Sequence, residues 1–125
     1  MASELRVDTL KDASGNNSVG LSYVANGSAK AWNSFNGTGT IGFIKSLNGS
    51  SLVDSGTGEY DVNITSAMDS TSYSILCSNG LHVSSNNANT LAYQNTASQY
   101  STAHWENNSK VDISYMSGQI HGDLA

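Results

Sequence analysis

Proline is absent from all 125 positions, and cysteine occurs once, at Cys77. Without proline, glycine and asparagine must make the turns. The single thiol excludes an internal disulfide framework and cysteine-rich metal sites. Charge is scarce: Asp, Glu, Lys and Arg supply 12% of the chain, against roughly 25% in an ordinary soluble protein. Only five residues are Lys or Arg, and the net charge is −5. That balance argues against a nucleic-acid partner. The apolar runs fall far short of a membrane span, so no membrane insertion is expected. The opening "MASELRVDTLKDASGNN" carries Glu4, Arg6, Asp8, Lys11 and Asp12 and has no apolar signal-peptide core, which implies synthesis in a cytoplasm without Sec export. Leu, Ile, Val and Phe number 24, just under a fifth of the chain. Such a low fraction borders on disorder, but disorder also requires high net charge. The expectation is a folded chain with a thin core. Small domains bury little of their surface, so a thin core points to oligomerisation.

What fills the chain instead is polar and small. Ser, Asn, Thr and Gly account for 57 residues. Four Asn-Gly pairs, at 26–27, 36–37, 48–49 and 79–80, punctuate it, and Asn-Gly is the strongest short hairpin signal because both residues tolerate positive φ. Short β-type runs lie between them: "KAWNSF" (30–35), "TIGFI" (40–44), "SLV" (51–53), "EYDVNIT" (59–65), "SYSILCS" (72–78) and "LHVSS" (81–85). "TLAYQ" (90–94), "AHWE" (103–106) and "KVDISYM" (110–116) come next, then a tail to Ala125. In "DSGTGEYDVNITSAM" (54–68), Tyr60, Val62 and Ile64 alternate strictly with Asp61, Asn63 and Thr65, the period of a half-buried strand. Turn signals every 8–12 residues or so imply an all-β sandwich or barrel. No helical period persists beyond one turn outside the first twelve residues, where Leu5, Val7 and Leu10 are too few to separate a frayed helix from a strand.

The expected architecture is an antiparallel β-sandwich, jelly-roll-like head over residues 29–125, with residues 1–28 as an N-terminal stem. Residues 1–28 hold one aromatic, Tyr23, whereas both Trp and both Phe lie in 29–125. Strand parity places Trp32, Phe35, Ile41, Phe43, Tyr60, Val62, Ile64, Tyr73, Ile75, Cys77, Leu91, Tyr93, Val111, Ile113 and Tyr115 inward, and a one-residue slip in any strand would invert its set.

Chemical motifs are few. "GTGTIG" (37–42) matches the letters of a dinucleotide fingerprint. That site needs a following helix, and "FIKSLNGSS" is too short and turn-rich to be one, so a hairpin turn is the expectation. No nucleophile elbow occurs. His82, His104 and His121 share no ligand spacing, which gives no metal site. Asp54, Glu59, Asp61, Asp69, Glu106 and Asp112 fall in turns or on outward strand faces, and nothing in the sequence pairs two of them for glycoside hydrolysis. No catalytic residue, cofactor or metal is therefore assigned, and Cys77 reads as an inert buried thiol. Tyr100, His104 and Trp105 differ, standing among Gln99, Ser101 and Asn107. Rings that stack on C–H groups beside amides that bond hydroxyls suit a sugar-binding surface. Burial of one aromatic that anchors the segment to the core explains the same residues. The three are the receptor-binding candidates.

"MASELRVDTLKDASGNNSVGLSYVANGSAKAW", followed by "FNGTGTI" and "DSGTGEYDVNITSAM", resembles a recurrent pattern in fibre and related virion proteins of marine tailed phages, including those of cyanobacteria. The resemblance spans roughly the first 75 residues. It implies a non-enzymatic structural protein of the virion. The chain would be a short homotrimeric fibre of the tail-fibre type, with a head for host attachment through surface glycans. In such a protein Trp32, Phe35, Gly37, Gly39, Tyr60 and Val62 would be framework positions. The stem would join another virion protein, with Leu5, Val7 and Leu10 as attachment candidates. The alternative is a capsid decoration or cement protein, or a head fibre, clamped to capsid subunits.

Overall fold

The computed structural model describes residues 3–80 and 87–125. These residues are mostly strand, paired antiparallel, with one short helix among them. β1 (Thr9–Lys11) and β2 (Ser18–Gly20) form a separate hairpin. Its loop closes on Asp12, whose carboxylate accepts from Asn17 Nδ2 at 2.7 Å, Ser14 Oγ at 2.9 Å and Asn16 N at 3.1 Å. These bonds, Asn17's first, hold the Asp12 carboxyl below its ordinary value. α1 (Leu21–Gly27) follows directly and buries none of its residues. Leu10 thus lies on a strand, and the helix comes later, at "LSYVANG".

The remaining strands make two sheets. One has the order β4–β3–β11–β7, built from β3 (Ala29–Asn36), β4 (Gly42–Leu47), β7 (Ser74–Asn79) and β11 (Met116–His121). The other runs β5–β6–β9–β8, from β5 (Gly49–Gly56), β6 (Glu59–Ile64), β8 (Ala88–Thr96) and β9 (Gln99–Glu106). β10 (Ser109–Lys110) continues the β6 side of β9 past Glu59, since Glu59 pairs with Ala103 and Lys110 with Trp105. Both sheets feed one hydrophobic cluster. Ala31, Phe35, Met116 and Ile120 come from the first, Tyr60, Val62, Ile64 and Tyr100 from the second, and Met68, Tyr73 and Ile113 from connections. The alternation read at Tyr60, Val62 and Ile64 is the observed one.

Asn48-Gly49 does not close a hairpin. It carries the chain from β4 in one sheet to β5 in the other. Asn48 takes φ 60 there. Its Nδ2 donates to the carbonyls of Lys30 at 3.1 Å and Ser66 at 3.0 Å, and its Oδ1 accepts from Ser66 N at 2.7 Å. A side-chain amide at this corner ties β3 of one sheet to the segment that leaves β6 of the other, which a plain turn residue would not do. Asn26-Gly27 ends the helix, and Asn79-Gly80 lies at the end of β7. Among the described residues, only Asn36-Gly37 opens a connection between paired strands, β3 and β4, as the turn reading of "GTGTIG" requires. The tight reversal from β9 to β10 uses Asn107 and Asn108 at φ 50 and 65, the positive pair a two-residue hairpin needs.

Four expectations are corrected. Trp32 is exposed, not inward: Ala31, Asn33 and Phe35 are the buried face of β3, and Trp32 lies on the opposite parity. Leu91 and Tyr93 likewise point outward. The run 110–116 is not one strand: Lys110 pairs in β10 and Met116 in β11, and the residues between belong to neither. The expected tail holds β11, an interior strand of its sheet. The expected strand at 81–85, with His82, lies outside the described residues.

Candidate functional site

The outward face of the β4–β3–β11–β7 sheet is the best-defined candidate surface. Because Ala31, Asn33 and Phe35 turn inward, Trp32 and Ser34 turn outward. Register then orders their neighbours. Trp32 pairs with Leu47 of β4 and Gln119 of β11, and Gln119 with Leu76 of β7. One row across four strands therefore reads Leu47–Trp32–Gln119–Leu76. Two residues along, the next row reads Lys45–Ser34–Ser117–Ser78. Side chains directly opposite one another stand ~4.5–5.5 Å apart, and rows two residues apart about 7 Å. An apolar row containing an amide thus lies beside a row of hydroxyls ending in an ammonium. Over it runs an open groove of about 740 Å3. Trp32 is 41% exposed and Leu76 60%. Ser78 and Ser117 share a hydroxyl contact of 3.0 Å. Among the described residues, Lys45 is the one charged side chain lining the groove, and no carboxylate lines it.

The three residues expected to bind a receptor do not share a surface. They lie on β9, a strand flanked by β6 and β8 rather than a loop. Tyr100 and His104 face the interior and are 1% and 0% exposed, so neither ring can meet a ligand. Asn33 Nδ2 donates to the Tyr100 hydroxyl, and burial pushes that phenol's pKa strongly upward. His104 is held between Thr90 Oγ1, 3.1 Å from Nδ1, and Glu106 Oε1, 3.4 Å from Nε2. Trp105, one residue on, faces the other way and is half-buried. It lines a hollow of about 300 Å3 with Asn89, Leu91 and Asn108. Lys110 Nζ stands 5.7 Å from its ring centroid and is bonded to Glu59 at 2.5 Å. The cation covers one face of the ring.

The attachment candidates Leu5 and Leu10 are exposed and Val7 is half-buried. None of the three belongs to the core cluster. Leu10 pairs with Val19 across the hairpin. Beside them Leu21, Tyr23 and Val24 are also exposed.

Carboxylates on the outer face of β6 are engaged. Asp61 accepts from Ser101 Oγ and, at 2.6 Å, from Ser55 Oγ, while Glu59 holds Lys110. Among the described residues no three His, Cys, Asp or Glu side chains gather as a metal site. Burial pushes the Cys77 thiol up, away from the thiolate that nucleophilic chemistry needs.

Sequence reasoning passed over Trp32, Lys45 and Gln119. The signal for Trp32 was available, since Trp32 and Phe35 have opposite parity and cannot both face inward in an unbroken strand. Gln119 carried none, because its strand was not foreseen. No family model matches this chain, and neither a curated protein nor a solved structure matches it.

Proposed function

We propose that this chain is a non-enzymatic structural protein of a tailed-phage virion. It is a short trimeric fibre in which residues 1–28 are a stem joined to another virion protein, and residues 29–125 are a β-sandwich head that adheres to host-surface glycan. The observation that carries this reading is the Leu47–Trp32–Gln119–Leu76 row, an exposed aromatic flanked by amide and hydroxyl groups on a strand-built face. Strands hold such groups in fixed relative positions, which lowers the ordering cost of binding. The sequence resemblance to phage fibre proteins and the thin core support the same reading. The exposed Leu5, Leu10, Val19 and Tyr23 of the N-terminal segment fit a surface that another protein covers. They also favour the second reading, a capsid decoration protein whose basal face clamps capsid subunits.

The test is immunogold labelling of phage particles with antibody to this chain, together with binding of the fluorescent full-length protein to host cells. Label on fibres with saturable cell binding supports adhesion. Label spread over the capsid with no cell binding replaces it with the decoration reading.

A further inference from the structure

We infer that the groove over β3, β4, β7 and β11 is a binding site for an acidic saccharide, one whose ring bears a carboxylate or a sulfate. The inference deepens the adhesion reading and rests on it. Trp32 supplies an open indole, with no aromatic ring or cation against it among the described residues, whereas one face of Trp105 already holds the Lys110 ammonium. A pyranose has an apolar C–H face and a rim of hydroxyls. The indole meets the first. Gln119, opposite Trp32, and Ser34 and Ser117 in the neighbouring row meet the second, donating and accepting as hydroxyl and amide groups do. The rows lie about 7 Å apart along the strands, so one sugar ring with its exocyclic group spans both.

Charge selects the acidic member of the class. The chain carries ten Asp and Glu against five Lys and Arg, yet among the described residues no carboxylate lines this groove and one lysine does. Lys110 and Lys30 have hydrogen-bond partners and Arg6 is paired with Glu4. Lys11 and Lys45 have no hydrogen-bond or ion-pair partner among the described residues; Lys11 lies on the separate β1–β2 hairpin, whereas Lys45 stands at the end of the hydroxyl row, next to Ser34. A neutral sugar would leave that ammonium unused. A carboxylate or sulfate reaching past Ser34 would form a charge-assisted bond with it. In an acidic protein that otherwise repels anions, this is the face where an anion is favoured.

The test is calorimetric titration of the full-length protein with three hexasaccharides: oligogalacturonate, a sulfated carrageenan fragment and neutral cellohexaose. Oligogalacturonate or the sulfated fragment, or both, should bind at least about tenfold tighter than cellohexaose, and the tighter of the two identifies the anionic group. Raising the salt should weaken that binding, as expected for one ion contact. Lys45→Ala should remove the preference while leaving the weaker neutral binding. Lys45 is exposed, so this variant keeps the fold. Trp32→Ala should weaken all three by about tenfold or more, with unchanged melting as the control. Equal affinity for acidic and neutral sugars, or binding insensitive to both variants, overturns the inference. So does binding to host cells with none of the three sugars bound, an outcome that leaves the adhesion reading standing. Absence of cell binding altogether removes the adhesion reading itself.

Discussion

The Tyr60 hydroxyl donates to the Gly37 carbonyl at 2.9 Å. Gly37 N donates to the Ile113 carbonyl at 3.0 Å, and Ile113 N donates back to the Tyr60 oxygen at 3.3 Å. The three form a closed ring of bonds joining β6, the β3–β4 turn and the crossing after β10. Asp112 extends it, accepting from Gly58 N at 2.6 Å. Phe35 sets its ring edge-on to Tyr60 at 5.2 Å. A Cβ on Gly37 would come within 2.4 Å of the Tyr60 ring and hydroxyl, so glycine is required by close approach.

Tyr60→Phe should therefore cost about 1–3 kcal/mol, because it leaves the Gly37 carbonyl and Ile113 N–H short of a buried partner. Gly37→Ala should cost at least as much, since the buried ring must move to admit the methyl. Urea denaturation of both variants checks the pair. A Gly37→Ala protein as stable as the parent would mean that Tyr60 does not seal this turn.

Burial raises the Tyr60 pKa from 10.0 to about 12. In the unfolded chain the phenol loses its proton near 10, and in the folded chain only near 12. Between those values the folded state binds more protons, so stability falls as pH rises. The contribution is complete below pH 10 and gone above about 12. The buried Tyr73 and Tyr100 are raised by the same cause and steepen the loss. The expected result is a melting temperature steady up to about pH 9.5 and falling steeply above it. Tyr60→Phe should show a shallower alkaline slope.

Thr102 is fully buried on β9, and its hydroxyl has no hydrogen-bond partner among the described residues. A buried hydroxyl without a partner carries a desolvation cost of ~1–3 kcal/mol. Thr102→Val keeps the shape and removes that cost. It should raise stability by ~1 kcal/mol, contrary to the usual sign for a core substitution. A destabilised variant would indicate that the hydroxyl has an unseen partner, a bound water being the simplest.

How much was legible depended on whether the side chains carried the pattern. At "EYDVNIT" large and polar residues alternate without a break, and the buried face followed from the letters. At "MSGQIH" the inward positions are Met116, Gly118 and Ile120, and the middle one has no side chain to read. Glycine is needed there because a Cβ would lie 2.6 Å from the Tyr100 hydroxyl. The requirement is set by a residue 18 positions earlier, so a local pattern could not show it. At "QYSTAHWE" the aromatic cluster pointed to a surface. In a strand, His104 and Trp105 must face opposite ways, and that separated the expected site. The Trp32 row joins the consecutive strands β3 and β4 to β7 and β11, which lie far along the chain. Only register assembles it.

The N-terminal segment gives the remaining prediction. Among the described residues β1 and β2 pair only with each other, and their residues are exposed apart from a half-buried Gly20. An isolated two-stranded hairpin is marginal in water. Its links to the sheets run through α1, where Gly27 O lies 3.2 Å from His121 Nδ1 and Lys30 Nζ donates to the Ala25 carbonyl. Deleting residues 2–12 removes β1 and the Asp12 loop and touches none of the core cluster. The deleted protein should keep a folded head with a cooperative melt, because the core cluster is untouched, while loss of the stem contacts lowers its melting temperature below that of the assembled parent. On the proposed reading, sedimentation equilibrium should show the full chain as a trimer and the shortened one as a monomer, and the shortened one should fail to enter virions. A monomeric full chain would sink the trimer. A shortened chain that stays trimeric would move the three-fold contact to the sheets, where Val53, Leu91 and Tyr93, exposed on the β5–β6–β9–β8 sheet, would be the surface to substitute next.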